Sequence, residues 1–149
     1  MIVTFDQLKG FRYRVAMVDG AFDPLHRGHI EYFRLAAERL GVPLLCNVAS
    51  DRYIERTKRP PLLGEGDRAE VVDAVRYITY THVNRIDTEA VLAELQPKYY
   101  VKGNDWRGRL PVAQETICRE HHIEIVYLDS VLDSSSRILE EFCRKTAHK

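Results

Sequence analysis

From Arg12 almost to its end, the chain alternates short apolar runs with amphipathic stretches, which restricts it to folds built from strand and helix in turn. Tyr13 to Val18, Leu44 to Ala49, His82 to Asn84, Tyr99 to Val101 and Ile123 to Leu128 read as strands. The first, second and last are continuous apolar runs, as in parallel strands buried on both faces. Between them, Ile30, Phe33, Ala37 and Leu40 share one helical face while Arg27, Glu31, Arg34 and Glu38 share another, with Gly41 as the stop. Val71, Val72, Val75 and Ile78 predict the inner face of a helix from about Glu65 to Tyr77. Further helices are predicted from Thr88 to Leu95, ended by Pro97, from Pro111 to His121, and from the serine cluster to Lys145 with Ile138, Leu139 and Phe142 inward. No repeat or linker interrupts the pattern, so one domain over residues 1–149 is expected. The expected α/β fold is a Rossmann-like, doubly wound parallel sheet of five strands, order 3-2-1-4-5, with helices on both faces.

Composition narrows the function. The 149 residues are 45% hydrophobic, and a chain of this size buries roughly 70% of its unfolded surface, enough for a core without disulfide or metal. Cys46, Cys118 and Cys143 are odd in number and widely spaced, as expected of buried thiols in a reducing compartment, by default the cytoplasm. No apolar run approaches the ~20 residues of a membrane span, and the first six residues lack the order of a signal peptide. The 22 basic and 22 acidic side chains balance, which argues against a general nucleic-acid binder. Arginine outnumbers lysine by 16 to 6, a bias that suits phosphate recognition.

The segment richest in chemistry follows the first strand: Asp19-Gly20-Ala21-Phe22-Asp23-Pro24-Leu25-His26-Arg27-Gly28-His29. Gly20 suits a tight turn, backbone N–H groups at the start of the following helix form an anion site, and Gly28 allows a polyphosphate to approach closely. His26 and His29 are three residues apart, so both rings can meet that anion from one face. A helix-capping loop with two surface histidines is the simpler alternative, and the strand, glycine turn and Phe22-Asp23 pair weigh against it. Lys58 and Arg59 fit either a solvated charge run or a mobile loop closing over substrate. Ser134, Ser135 and Ser136 fit a helix N-cap and, with Arg137, a phosphate clamp. Asp105 fits a turn with Gly103 and Asn104, and a core role is open to Trp106. His82, His121, His122 and His148 lack metal-ligand spacing and read as structural or surface residues.

Asp19 to His29 resembles the GxFDxxHxGH pattern of the HxGH nucleotidyltransferases, the cytidylyltransferase-like superfamily. Three further segments are similar to the family's in order and spacing: Ser50-Asp51 with Lys58-Arg59-Pro60 and Arg68; Val101-Lys102-Gly103-Asn104-Asp105-Trp106; and Ser134-Ser135-Ser136-Arg137-Ile138. The resemblance implies transfer of a nucleotidyl group from a nucleoside triphosphate to the phosphate of a small phosphorylated metabolite, with release of pyrophosphate. His26, His29, Lys58 and Arg137 are then expected to be catalytic. Gly20, Ala21, Phe22, Gly28, Lys102, Gly103, Asp105 and Ser134 to Ser136 would bind nucleotide, and Asp23 and Arg59 the acceptor. Mg2+ is expected to arrive on the phosphates, because no carboxylate cluster suggests a metal cage.

Within the superfamily, Ile2 to Leu8, Arg59-Pro60 and Val101-Lys102-Gly103 look like the adenylyltransferases that make ADP-heptose. Asp105-Trp106 with Gly108 looks instead like the glycerol-3-phosphate cytidylyltransferases, whose Arg-Thr-Glu-Gly segment is replaced here by Asp129 to Asp133. Adenylyl transfer is the favoured expectation, and cytidylyl transfer to a polyol or amino-alcohol phosphate the alternative. A catalytically silent nucleotide-binding regulator is disfavoured by the complete charged set. A fragment of a class I aminoacyl-tRNA synthetase would need a second lysine loop and a tRNA-binding extension. No nucleic-acid or membrane partner is expected, and a homodimer is implied only by the resemblance.

Overall fold

The structure, a computed structural model, describes residues 1–129 and 134–147. Five parallel strands, β1 (Ala16–Gly20), β2 (Leu44–Ala49), β3 (Ile78–Asn84), β4 (Tyr99–Gly103) and β5 (Glu124–Leu128), form one sheet in the order β3-β2-β1-β4-β5. The predicted winding is therefore the observed one, and β1 lies at the centre with Ala16 paired to both Leu44 and Tyr99. Alternate residues of each strand feed two cores. Ala16, Val18, Leu44, Cys46 and Val101 pack with Phe33 and Ala36 of α1 (Arg27–Leu40) and Val72 of α3 (Glu65–Asp73). Met17, Leu45 and Tyr100 pack with Val91, Leu92 and Leu95 of α4 (Thr88–Leu95) and Cys118 of α5 (Val112–Glu120). Both faces of the sheet are covered, which is why its strands read as unbroken apolar runs.

The helices stop where local chemistry requires. Gly41, left-handed at φ 64°, closes α1 with its N–H on the Ala37 carbonyl. Asp87 caps α4 by accepting from the Ala90 N–H, and Gln96 ends it in the left-handed region just before Pro97.

Several boundaries differ from the sequence expectation. Tyr13 to Val15 precede β1, which begins at Ala16. α3 ends at Asp73 with Val71 on its exposed side, and Ile78 opens β3; the β-branched and aromatic residues from Ile78 to Val83 favour the extended state. A short helix, α2 (Asp51–Thr57), capped by Ser50, was not anticipated. Neither was a 3-10 helix over Phe5–Phe11, which buries Leu8 while Ile2 and Val3 pair with Thr81 and cover the outer edge of β3. α6 (Ser135–Thr146) buries none of its residues, and Phe142, expected inward, is exposed. Cys143 is exposed as well, while Cys46 and Cys118 are buried. His148 and the segment from Ser130 to Asp133 lie outside the described residues. Among the described residues no helix is long and apolar enough to cross a membrane.

Candidate active site

The two histidines lie at the carboxyl end of β1, where the sheet reverses its winding. His26 is the N-cap of α1, and its Nδ1 accepts from the Gly28 N–H at 3.0 Å. In return the His26 N–H donates to Nδ1 of His29 at 3.2 Å, so each imidazole closes one turn of a capping box. The rings stack with centroids 3.8 Å apart, and Phe22 meets His29 edge-on at 4.9 Å. Because both Nδ1 atoms accept, the hydrogen on each ring belongs on Nε2. Burial, reinforced by the charges of His26 and Lys58, lowers the pKa of His29 to about 3. His29 is therefore a neutral imidazole at physiological pH, with a ring N–H donor at the helix N-terminus.

Gly20 serves a different purpose from the one expected. The left-handed residue of this loop is Phe22, at φ 53°, and a Cβ on Gly20 would lie 2.9 Å from Cζ of the Phe22 ring. Gly20 is thus small so that Phe22 can fold back across it into the core. Ala21 lends its carbonyl to the loop's anchoring, accepting from Arg68 at 2.7 Å.

Asp23 and Arg59, expected to hold the acceptor, hold each other. Asp23 is fully buried, and its carboxylate accepts from the Arg59 guanidinium at 2.8 Å and from the Leu62 and Leu63 N–H groups at 2.7 and 2.9 Å. Burial pushes its pKa up, but those hydrogen bonds outweigh it and leave the carboxyl below its ordinary range. The segment after α2, expected to be mobile, is thereby latched onto the histidine loop. Lys58, at the end of α2, is exposed and near enough for its charge to act on His29.

The N-terminus of α6 reaches the same loop. The Ser135 hydroxyl donates to the Pro24 carbonyl at 2.8 Å, and Ser134 caps the helix by accepting from the Arg137 N–H. Arg137 also donates to Glu141 one turn along at 3.1 Å. Ser136 is exposed in the first turn. Across the sheet, Val18 pairs with Val101, so Gly20 and Gly103 end their strands on either side of the switch point. Lys102 bonds Asp19 at 2.9 Å and lies over the Trp106 ring. Asp105 is exposed on a 3-10 turn at Asn104–Trp106.

Asp19, Tyr100 and Arg68, given no role from the sequence, shape the site. Asp19 accepts from both Lys102 and the Tyr100 hydroxyl. Its position immediately before Gly20 was the available signal. Arg68 is buried and donates to Ala21, Ala49, Leu63 and Asp51, tying together the ends of β1 and β2, the latch segment and α2. Arg68 falls in a segment that is similar to the family's, but its burial could not be read locally, because most of its partners are distant in sequence. Among the described residues no group of three or more His, Cys, Asp or Glu is placed to hold a metal ion. The carboxylates nearest the histidine loop, Asp19 and Asp23, are both occupied by cations.

Doubly wound sheets bind ligands at the carboxyl ends of their strands, and here an imidazole-bearing helix N-terminus stands at the switch point. The match is specific: the chain belongs to the cytidylyltransferase-like family, which covers residues 17–141. It is 33% identical over 138 residues to the bifunctional protein HldE of Pelobacter propionicus, covering 87% of this chain and 28% of that protein. HldE of Geobacter sulfurreducens is 38% identical over 107 residues, which cover 70% of this chain and 22% of the relative. The chain therefore spans about a quarter of the length of these relatives. Among solved structures, a lipopolysaccharide core biosynthesis protein from Thermoplasma volcanium superposes with a TM-score of 0.68 at 23% identity, covering 78% of this chain and 96% of that one. Pantothenate synthetase from Thermus thermophilus shares the fold with a TM-score of 0.52 at 18% identity, covering 86% of this chain and 61% of that one.

Proposed function

We propose that this chain is a nucleotidyltransferase that joins the nucleotidyl group of a nucleoside triphosphate, ATP by preference, to the phosphate of a small sugar phosphate and releases pyrophosphate. The observation that carries the reading is the reciprocal capping pair of His26 and His29, which holds both imidazoles at the N-terminus of α1 beside the carboxyl end of β1. Membership of the cytidylyltransferase-like family and similarity to HldE support it.

The chemistry asks little covalent work of the protein. An oxygen of the acceptor phosphate attacks the α-phosphorus, the bond to the bridging oxygen breaks, and its electron pair leaves with pyrophosphate. The attacking oxygen is already anionic, so no general base is required, and catalysis rests on alignment and neutralisation of charge. In this reading His26 and His29 donate to non-bridging and leaving oxygens, and Lys58 and Arg137 balance the departing pyrophosphate. The main chain at Gly20, Ala21, Phe22 and Gly28 and the hydroxyls of Ser134 to Ser136 receive the phosphates. Lys102, Gly103 and Asp105 flank the nucleoside. Asp23 and Arg59 act indirectly, by holding the latch segment. Magnesium, when present, would be carried by the triphosphate and lessen its charge, since Asp19 and Asp23 are engaged elsewhere. A cytoplasmic setting fits such soluble substrates.

Cytidylyl transfer is the second reading, favoured by the Asp105-Trp106 turn and Gly108. A pyrophosphate-release screen of ATP and CTP against sugar 1-phosphates and polyol phosphates tests both. His29→Ala is expected to lower kcat about 100- to 1000-fold, as loss of a transition-state donor does. Unchanged turnover at saturating triphosphate would remove His29 from the chemistry.

A further inference from the structure

Trp106, the sole tryptophan, stands at the end of β4 and is 41% exposed, an unusual position for the largest apolar side chain in the sequence. It is also held in place. The Lys102 ammonium lies 4.3 Å from the centroid of its ring and is fixed from the other side by the Asp19 carboxylate at 2.9 Å. Asp19 is itself fixed by the Tyr100 hydroxyl at 2.9 Å. The turn beneath the indole is closed by the Arg107 N–H on the Asn104 carbonyl, the Arg107 Nε on the Asn104 side chain, and the Arg109 N–H on the Trp106 carbonyl. Arg107 in turn lies over Tyr127 of β5, 4.6 Å from its centroid. One face of the indole thus rests on a cation whose charge is already matched, on a turn bonded at three points. Trp106 follows the last residue of β4 by three positions, at the carboxyl end of the sheet where β1 and β4 lie side by side.

A fixed, partly exposed aromatic ring at the ligand-binding edge of such a sheet suits a flat π-system, since stacking is favourable for any base and costs little when the platform is already ordered. A cation beneath one face draws electron density from the ring, which improves its fit to the electron-rich face of a purine. We propose that Trp106 is a ligand-binding residue of this site, stacking on the nucleobase of the triphosphate, with Lys102 and Asp19 as positioning residues that hold the indole. The proposal rests on the nucleotidyltransferase reading and assigns the nucleoside half of the ligand to the β4 side of the crevice.

Because Trp106 is the only tryptophan, its emission reports on this position alone. ATP, CTP and inorganic tripolyphosphate are titrated into the protein, followed in parallel by tryptophan emission and by calorimetry. ATP is expected to change the emission, while tripolyphosphate binds and leaves it unaltered. Trp106→Ala is expected to weaken ATP about 5- to 100-fold, the effect of losing one stacked base, with tripolyphosphate affinity unchanged as the sign of an intact fold. Trp106→Phe, which keeps a ring, is expected to bind ATP within about threefold of the parent. ATP binding by calorimetry with unaltered emission, or with equal affinity in Trp106→Ala, would overturn the stacking role and leave the nucleotidyltransferase reading standing. Failure of both ATP and CTP to bind would overturn both.

Discussion

The site's chemistry depends on where single protons sit. Burial, with the electrostatic influence of His26 and Lys58, keeps His29 neutral. A second histidine shares the bias without a place in the site: His82, buried on β3, bonds Asn47 at 2.9 Å, and burial with the Arg85 charge lowers its pKa to about 4. An unfolded chain takes up a proton at such a ring near pH 6.5, whereas the folded one resists it until about pH 4. Stability is therefore complete above the unfolded pKa and falls as pH drops toward the folded one. His82 alone contributes a loss on the order of 2 kcal/mol between pH 7 and pH 5, and His29 adds to it. His82→Gln, which can still bond Asn47, is expected to flatten this decline by about half. Melting temperatures of both proteins across that range check it, and an unchanged slope would mean that His82 titrates normally.

At the scale of elements, the connection from α2 to α3 bears on the site through Asp23. Asp23→Ala leaves the Arg59 cation without its carboxylate and the Leu62 and Leu63 N–H groups without an acceptor. Breaking a buried pair in this way costs about 3 to 5 kcal/mol. The expected result is a lower melting temperature together with faster tryptic cleavage after Lys58; cleavage at the parent rate would show that the segment is held by other means. This latch could not be read from the sequence, because its partners are far apart and a buried aspartate looks like an exposed one until its donors are known. The histidine loop was legible because its donors and acceptors lie within four residues of each other. Helices α1, α4 and α5 were legible because their stop signals are local, at Gly41, Gln96-Pro97 and the residues around His121. The segment around Val75 misled for the opposite reason: valines spaced as on a helix continue into a β-branched strand with no breaker between them. The inward face expected of α6 was an error of context, since an apolar stripe shows what a helix can bury and not whether a neighbour is there.

The whole molecule places every proposed ligand contact at one end of the sheet, so ligand binding should be felt throughout the fold. A ligand that binds only the folded state raises stability by about 2.7 kcal/mol at 100 times its Kd. ATP is expected to raise the melting temperature more than CTP at equal concentration, and at least tenfold tighter binding of CTP would reverse the choice of base while leaving nucleotidyl transfer in place. The central position of β1 has another consequence, one of timing. One edge of β1 is covered by Leu44 to Val48, and the other waits for Tyr99 to Val101. At a synthesis rate of roughly 5 to 20 residues per second, a nascent chain carries that second edge open for a few seconds, with Met17 and Val18 on the uncovered strand. The strand that leads into the histidine loop thus keeps an open edge until β4 arrives, and that same step completes the crevice.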